Sequence, residues 1–204
     1  MNIFFMGTPE FAVPTLDLLN KKYNVIGVFT QPPRPSGRGM KEIKSSIQQY
    51  SEKNKLNFYT PNNLKKDETL KLLKSLNPDL IVVVAYGLLI PEVILKIPSY
   101  GCINGHASLL PKWRGAAPIQ RAIEAGDIKT GCTSMLMEKG LDTGPMIHKK
   151  EILIKMENDV IDLFKSLSLL TAECLHETIQ KLISGDSKQI PQNNLEASYA
   201  HKLT

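Results

Sequence analysis

Asn104 and His106 stand two residues apart in the stretch GCINGHASLLPKWRGAAPIQRAIEAGD, residues 101–127. In an extended chain that spacing projects both side chains to one face. Histidine titrates near neutral pH, so it can move a proton there. An asparagine amide can donate to an oxygen on which negative charge develops. Alone, such a pair equally describes a hydrogen-bonded loop histidine. The adjoining residues add weight: Ser108, Leu109, Leu110 and Pro111 make a proline-ended apolar ledge, and Trp113, the only tryptophan, precedes Arg114 in a KWRG turn. A third piece is EKGLDTGP, residues 138–145, where Asp142 lies between Gly140 and Gly144. That aspartate could merely cap a turn. Folded over His106, its carboxylate would favour the charged imidazole.

The elements that must carry these residues alternate. Asn2–Met6 and Asn24–Thr30 read as strands around a helix over Glu10–Lys21, with Pro14 in its first turns. A Pro-, Gly- and Arg-rich loop spans Gln31–Lys41; helices come next over Ile43–Lys53 and Asp67–Leu76, with a short strand at Asn57–Tyr59 between them. Asp79–Ala85, DLIVVVA, is the continuous apolar run of a central parallel strand buried on both faces. Gly101–Asn104, Gly131–Met137 and Met146–Ile154 read as strands, Ala116–Ala125 as a helix, and Asn158–Ile183 as a long amphipathic helix. Alternation of these lengths predicts an α/β fold with a doubly wound, mostly parallel sheet. Asn104 and His106 then fall near the carboxyl end of a strand, where such sheets place ligands. Residues 1–186 are expected to form one catalytic domain, and 187–204 a polar linker or tail toward a further domain. Gly7 stands alone after the first strand, so the glycine fingerprint of a dinucleotide site is missing.

Composition narrows the class. With 204 residues, 42% apolar and 22% charged, the chain matches an ordinary globular protein. The N-terminus lacks the basic and apolar regions of a signal peptide, which makes the cytoplasm the expected compartment. Cys102, Cys132 and Cys174 are scattered without CxxC spacing, as buried thiols are, and no metal is expected. The net charge of +5 permits a polyanionic partner. Only four of the 25 basic side chains are arginines: Arg34 and Arg38 in the Gly/Pro-rich loop, Arg114 and Arg121 around the KWRG segment. Arginine supplies a planar fork for phosphate or carboxylate that lysine lacks.

NGHASLLPKWRGAAPIQ together with GLDTG resembles the formyltransferase superfamily that uses 10-formyltetrahydrofolate. MGTPEFA, TQPPRPSGRG, VVVAYG and ASYAHKLT are similar, within it, to the branch that acts on methionyl-tRNA, and the likeness runs in order along the whole chain. The resemblance implies a Rossmann-like formyltransferase fold and formyl transfer to the amino group of methionyl-initiator tRNA in translation initiation. It implies a catalytic trio of Asn104, His106 and Asp142, with Thr133 as a secondary polar residue. Folate contacts fall on Ser108, Leu109, Leu110 and Pro111, with Tyr86, Gly87, Leu88 and Leu89 lining the pterin pocket. Arg34, Arg38 and Lys41 would contact tRNA, and a monomer with no membrane partner is expected. The chain departs from the family at Gly105, often Val; at Pro145, commonly Asp; and at Ser46-Ile47-Gln48, usually Pro-Val-Lys. The alternative readings are a superfamily member formylating an amino sugar or glycinamide ribonucleotide, a folate hydrolase with water as acceptor, and a non-catalytic folate- or RNA-binding module.

Overall fold

Proline and short polar side chains set several element boundaries in the computed structural model, which describes residues 1–36, 41–155 and 159–203. β1 (Asn2–Gly7) ends at a single 3-10 turn, and α1 (Val13–Lys22) begins with Pro14 in its first turn. There the missing N–H is harmless and the fixed φ is already helical. β2 (Asn24–Phe29) comes next, and then β3 (Arg34–Ser36) and β4 (Lys41–Ile43) form an antiparallel ribbon. The helix expected from Ile43 starts later, as α2 (Ser46–Lys53), because the Ser45 hydroxyl accepts from the Gln48 N–H at 2.9 Å and caps it. β5 (Phe58–Tyr59), α3 (Asp67–Leu76), β6 (Leu80–Val84) and the short α4 (Glu92–Leu95) complete the first of two compact units, Met1–Cys102.

In that unit β1 pairs in parallel with β2 on one side and β6 on the other, and β2 pairs in parallel with β5. The chain therefore winds outward from β1 through β2 to β5, then returns to β1's other side. That reversal is the topological switch at whose carboxyl end open α/β sheets bind ligands. Ile3, Phe4, Phe5 and Met6 of β1 and all five residues of β6 are buried, as expected of strands covered on both faces.

The second unit, Ile103–Thr204, is built differently. β7 (Cys102–His106) enters it; β8 (Arg114–Gly115) and α5 (Pro118–Glu124) come next, then β9 (Lys129–Leu136), β10 (Met146–Leu153), α6 (Val160–Ser184) and β11 (Tyr199–Ala200). β7, β9 and β10 are antiparallel neighbours, with His106 opposite Thr133 and Thr133 opposite Lys149. α6 opens on a capping box between Asp159 and Asp162 and closes on Gly185. Its residues Leu163, Leu167, Thr171, Cys174, Leu175, Thr178 and Ile179 are buried, the i, i+4 spacing of one covered face. Each fully buried leucine of that face contributes roughly 1.5–3 kcal/mol. Residues 187–203 lie along this unit: Met146 and Ile190 exchange backbone hydrogen bonds at 2.8 Å, and β11 pairs in parallel with β8.

Candidate active site

Asn104, His106 and Asp142 meet around one carboxylate. β7 supplies the first two from alternate positions on one face. The Asp142 Oδ2 accepts the Gly115 N–H at 2.9 Å and stands 3.6 Å from His106 Nδ1; its Oδ1 accepts the Asn104 amide at 3.4 Å. His106 Nε2 lies 2.7 Å from the Trp113 carbonyl. A carbonyl only accepts, so that nitrogen is the donor, and a neutral ring would then turn a lone pair on Nδ1 toward the carboxylate. A doubly protonated ring instead offers an N–H to each acceptor. The His106 and Asp142 side chains are only 6% and 12% exposed, so little water screens the pair.

The loop that carries Asp142 is held in an uncommon shape. Asp142 has φ 52°, in the left-handed region that non-glycine residues seldom adopt. Two residues on, a Cβ at Gly144 would fall 1.8 Å from the Leu136 carbonyl oxygen, so only glycine fits there. Trp113, whose carbonyl receives the histidine, is also left-handed at φ 62°. Such conformations persist where surrounding contacts enforce them, and they concentrate at functional sites.

Gly105 sits between the two catalytic candidates on the opposite face of β7. A Cβ there would lie 2.7 Å from Thr171 Cγ2 and 2.8 Å from Leu175 Cδ1. Thr171 and Leu175 of α6 thus fill the space that a side chain at position 105 would take. Asn104 and His106 keep their shared face.

The Ser108–Pro111 ledge is tied down at several points. Thr133 Oγ1 donates to the Ser108 carbonyl at 2.7 Å and accepts the Leu110 N–H at 3.0 Å. Thr133, opposite His106 in the ladder, thus acts on the ledge. Lys149 Nζ donates to the Leu110 carbonyl. Burial lowers the Lys149 ammonium from the ordinary lysine value, an effect the Glu196 carboxylate partly offsets. Ser108 Oγ donates to the Lys112 carbonyl at 2.6 Å.

Tyr86, Gly87, Leu88 and Leu89 come directly after β6 in the first unit, at the switch between β1 and β6. The Tyr86 carbonyl accepts from Thr8 Oγ1 at 2.9 Å and Gln31 Nε2 at 2.8 Å, which fixes the turn. The Tyr86 ring is buried, its hydroxyl has no hydrogen-bond partner among the described residues, and burial raises the phenol well above its ordinary range. Leu89 is 83% exposed. Arg34 is exposed at the start of the β3–β4 ribbon; Lys41 pairs with Ser36 through the backbone; Arg38 lies outside the described residues.

Arg114 is not a surface fork for anions: it is 2% exposed, with Nε donating to Gln192 Oε1 and Nη2 to Asn194 Oδ1, both at 3.0 Å. Arg121 pairs with Glu124. Trp113 donates its indole N–H to Asp127 at 2.7 Å. The sequence reading missed Gln192, whose amide donates to the carbonyls of Asp142 at 2.9 Å and Gly144 at 2.8 Å. It missed Ser198 as well, whose hydroxyl accepts the Trp113 N–H at 2.9 Å. Neither carries a local signal, because their partners lie tens of residues away in the chain. The three cysteines are buried and free, and among the described residues no group of three or more His, Cys, Asp or Glu is placed to hold a metal ion. Among the described residues no helix is long and apolar enough to cross a membrane.

The formyl transferase family model matches residues 1–179. Methionyl-tRNA formyltransferase of Marinobacter nauticus is 46% identical over 205 residues, and that of Alkaliphilus metalliredigens 48% over 204; both matches cover 100% of this chain, but 66% and 65% of the relatives. The chain thus spans about two thirds of the length of the curated relatives it matches. Among solved structures, phosphoribosylglycinamide formyltransferase from Bacillus halodurans aligns with a TM-score of 0.75 at 19% identity, covering 90% of this chain and 96% of that one. A sugar 3N-formyl transferase, solved in the presence of dTDP and 5-N-formyl-THF, gives 0.73 at 20% identity over 100% and 73%. These likenesses show the Rossmann-like fold that the family resemblance implied, in keeping with the doubly wound sheet expected from the alternating elements. The chain belongs to the formyl transferase family.

Proposed function

We propose that the chain transfers the formyl group of 10-formyltetrahydrofolate to the free amino group of methionyl-initiator tRNA, as a transferase serving translation initiation. The observation that carries this reading is the convergence of Asn104, His106 and Asp142, two hydrogen-bond donors set around one carboxylate. The relatives' names supply the acceptor.

In the proposed reaction the lone pair of the uncharged methionyl amine forms a bond to the formyl carbon. The carbonyl π pair moves to the formyl oxygen, where Asn104 Nδ2 and the His106 Nδ1 proton stabilise the charge. A donor of this kind is worth about 3–4 kcal/mol of barrier. The oxygen's electron pair then re-forms the carbonyl as the bond to folate N10 breaks. The ammonium proton passes by way of His106, directly or through water, to N10. Asp142 orients the ring and balances its charge. No metal is required for this sequence.

Both folate-contacting stretches are part of the proposal. Leu109 and Pro111 offer half-buried apolar surface near His106, and the buried Ser108 and Leu110 hold that ledge in place. Tyr86, Gly87, Leu88 and Leu89 lie at the switch point of the first unit, and the exposed Leu89 suits a flat ring. Arg34, Arg38 and Lys41 are proposed as phosphate contacts for tRNA, and the active species as a cytoplasmic monomer. Residues 1–186 are proposed as the main catalytic part, with 187–203 held against the second unit by β11 and by the Met146 and Ile190 backbone pair.

The test is acceptor competition. The chain is incubated with 10-formyltetrahydrofolate and equal concentrations of methionyl-tRNA, uncharged tRNA, a nucleotide-linked amino sugar and glycinamide ribonucleotide, and products are identified by mass spectrometry. Formylated methionyl-tRNA as the dominant product is expected. A preference for either small amine, or formate release without an amine, contradicts the reading.

A further inference from the structure

We propose that Gln192 is a positioning residue of the active site: its side-chain amide clamps the strained Asp142 turn onto the buried Arg114, so that residues 190–200 set the catalytic carboxylate. This inference rests on the formyl-transfer reading and lies beyond residues 1–179, which the family model matches.

Four hydrogen bonds meet on this one side chain, the longest a weak one from Nε2 to Met135 Sδ at 3.8 Å. Nε2 donates to the carbonyls of Asp142 at 2.9 Å and Gly144 at 2.8 Å, while Oε1 accepts from Arg114 Nε at 3.0 Å. The two carbonyls belong to the same turn, whose left-handed Asp142 needs outside contacts to persist. A guanidinium donating to Oε1 polarises the amide and strengthens both N–H donors. Arg114 is buried and also grips Asn194, so the anchor is fixed.

The same strap reaches the other half of the site. Ser198 Oγ accepts the Trp113 N–H at 2.9 Å, the Ser198 carbonyl accepts the Arg114 N–H at 2.9 Å, and β11 pairs with Arg114 and Gly115. Trp113 presents its carbonyl to His106, and Gly115 presents its N–H to Asp142. Gln192 is the point at which the turn carrying Asp142 is joined to the segment that holds the acceptor and donor around it. Losing the clamp frees the carboxylate to move relative to His106 without removing any group that touches the substrate. A displacement of about 1 Å in such a constellation lowers turnover about 100-fold.

The test is Gln192→Met in the full chain, which keeps the volume and removes all four hydrogen bonds. The expected result is a native thermal transition, kcat for methionyl-tRNA lowered about 10- to 100-fold, and the KM for 10-formyltetrahydrofolate within about threefold of the parent. Amide exchange at Gly115 should quicken about tenfold or more, because its acceptor is no longer held. A folded variant with kcat within about twofold of the parent and unchanged Gly115 protection overturns the clamp. Should Gln192→Met fail to fold, Gln192→Ala is read by the same two measures. If the parent chain transfers no formyl group, the formyl-transfer reading fails by itself, and Gly115 exchange still decides the clamp.

Discussion

Replacing Asp142 by asparagine removes the charge of the carboxylate and keeps its size. The amide oxygen can still accept the Gly115 N–H now bound at 2.9 Å, while the 3.4 Å contact from the Asn104 amide loses its acceptor. What disappears is the negative charge 3.6 Å from His106 Nδ1. At that distance two unit charges interact by about 4–5 kcal/mol at an effective dielectric constant near 20, and by about 1 kcal/mol in bulk water. The side chains are 6% and 12% exposed, which places the pair toward the first value. With Nε2 donating to the Trp113 carbonyl, the Nδ1 proton that meets the developing oxyanion makes the ring an imidazolium, and the carboxylate balances that charge through the step. A loss of about 3–4 kcal/mol corresponds to a rate roughly 10²- to 10³-fold lower. Single-turnover transfer from saturating 10-formyltetrahydrofolate to methionyl-tRNA, monitored as N-formylmethionine, reads that rate. A folded Asp142→Asn chain reacting within about threefold of the parent would refute the assigned role, since the ion pair would then contribute under about 1 kcal/mol.

Other consequences concern stability and partner binding. Thr133→Val removes the donor to Ser108 and the acceptor for Leu110 at constant shape. Two buried backbone groups are orphaned, and urea unfolding should show a loss of about 2–4 kcal/mol, with a raised KM for folate. Gly105→Val drives methyl groups into Thr171 and Leu175 and should destabilise by about 1–3 kcal/mol, recovered in part when Leu175 is shortened to alanine. Hydrogen bonding from Lys150, helped by His148 and opposed by burial, lowers the Glu177 carboxyl below its ordinary 4.5. A depressed carboxylate stabilises above its unfolded pKa and loses that stabilisation as pH falls through the folded value. Glu177→Gln should therefore narrow the gap in melting temperature between pH 7 and about pH 3. Arg38→Ala should weaken tRNA use and flatten its salt dependence while sparing folate binding; equal loss of both would point to misfolding instead.

Periodic, buried elements were legible in the sequence, and contacts between distant segments were not. DLIVVVA announces β6 because a strand covered on both faces leaves an unbroken apolar run. The long helix was expected over Asn158–Ile183 and runs Val160–Ser184, since its apolar spacing is sustained for many turns. The direction of β9 and β10 has no period of its own. Only the nine residues between Leu136 and Met146, too few for a parallel crossover, point to an antiparallel pair. Two-residue strands such as β8 and β11 have no pattern at all, being defined by each other. Types and spacing singled out Asn104, His106 and Asp142 as candidates, the family resemblance supplied their roles, and the fold brings them together. Gln192 could not, because an isolated glutamine in a polar stretch looks the same whether it clamps a turn or faces water.

Formyl transfer from 10-formyltetrahydrofolate to methionyl-tRNA, by the parent chain and by His106→Ala with uncharged tRNA as control, bears on the proposed chemistry without intermediate assumptions. Transfer should require the charged tRNA and fall by roughly 100-fold or more in the folded variant. Near-parental transfer by folded His106→Ala, or none by the parent despite bound folate, would contradict the assignment.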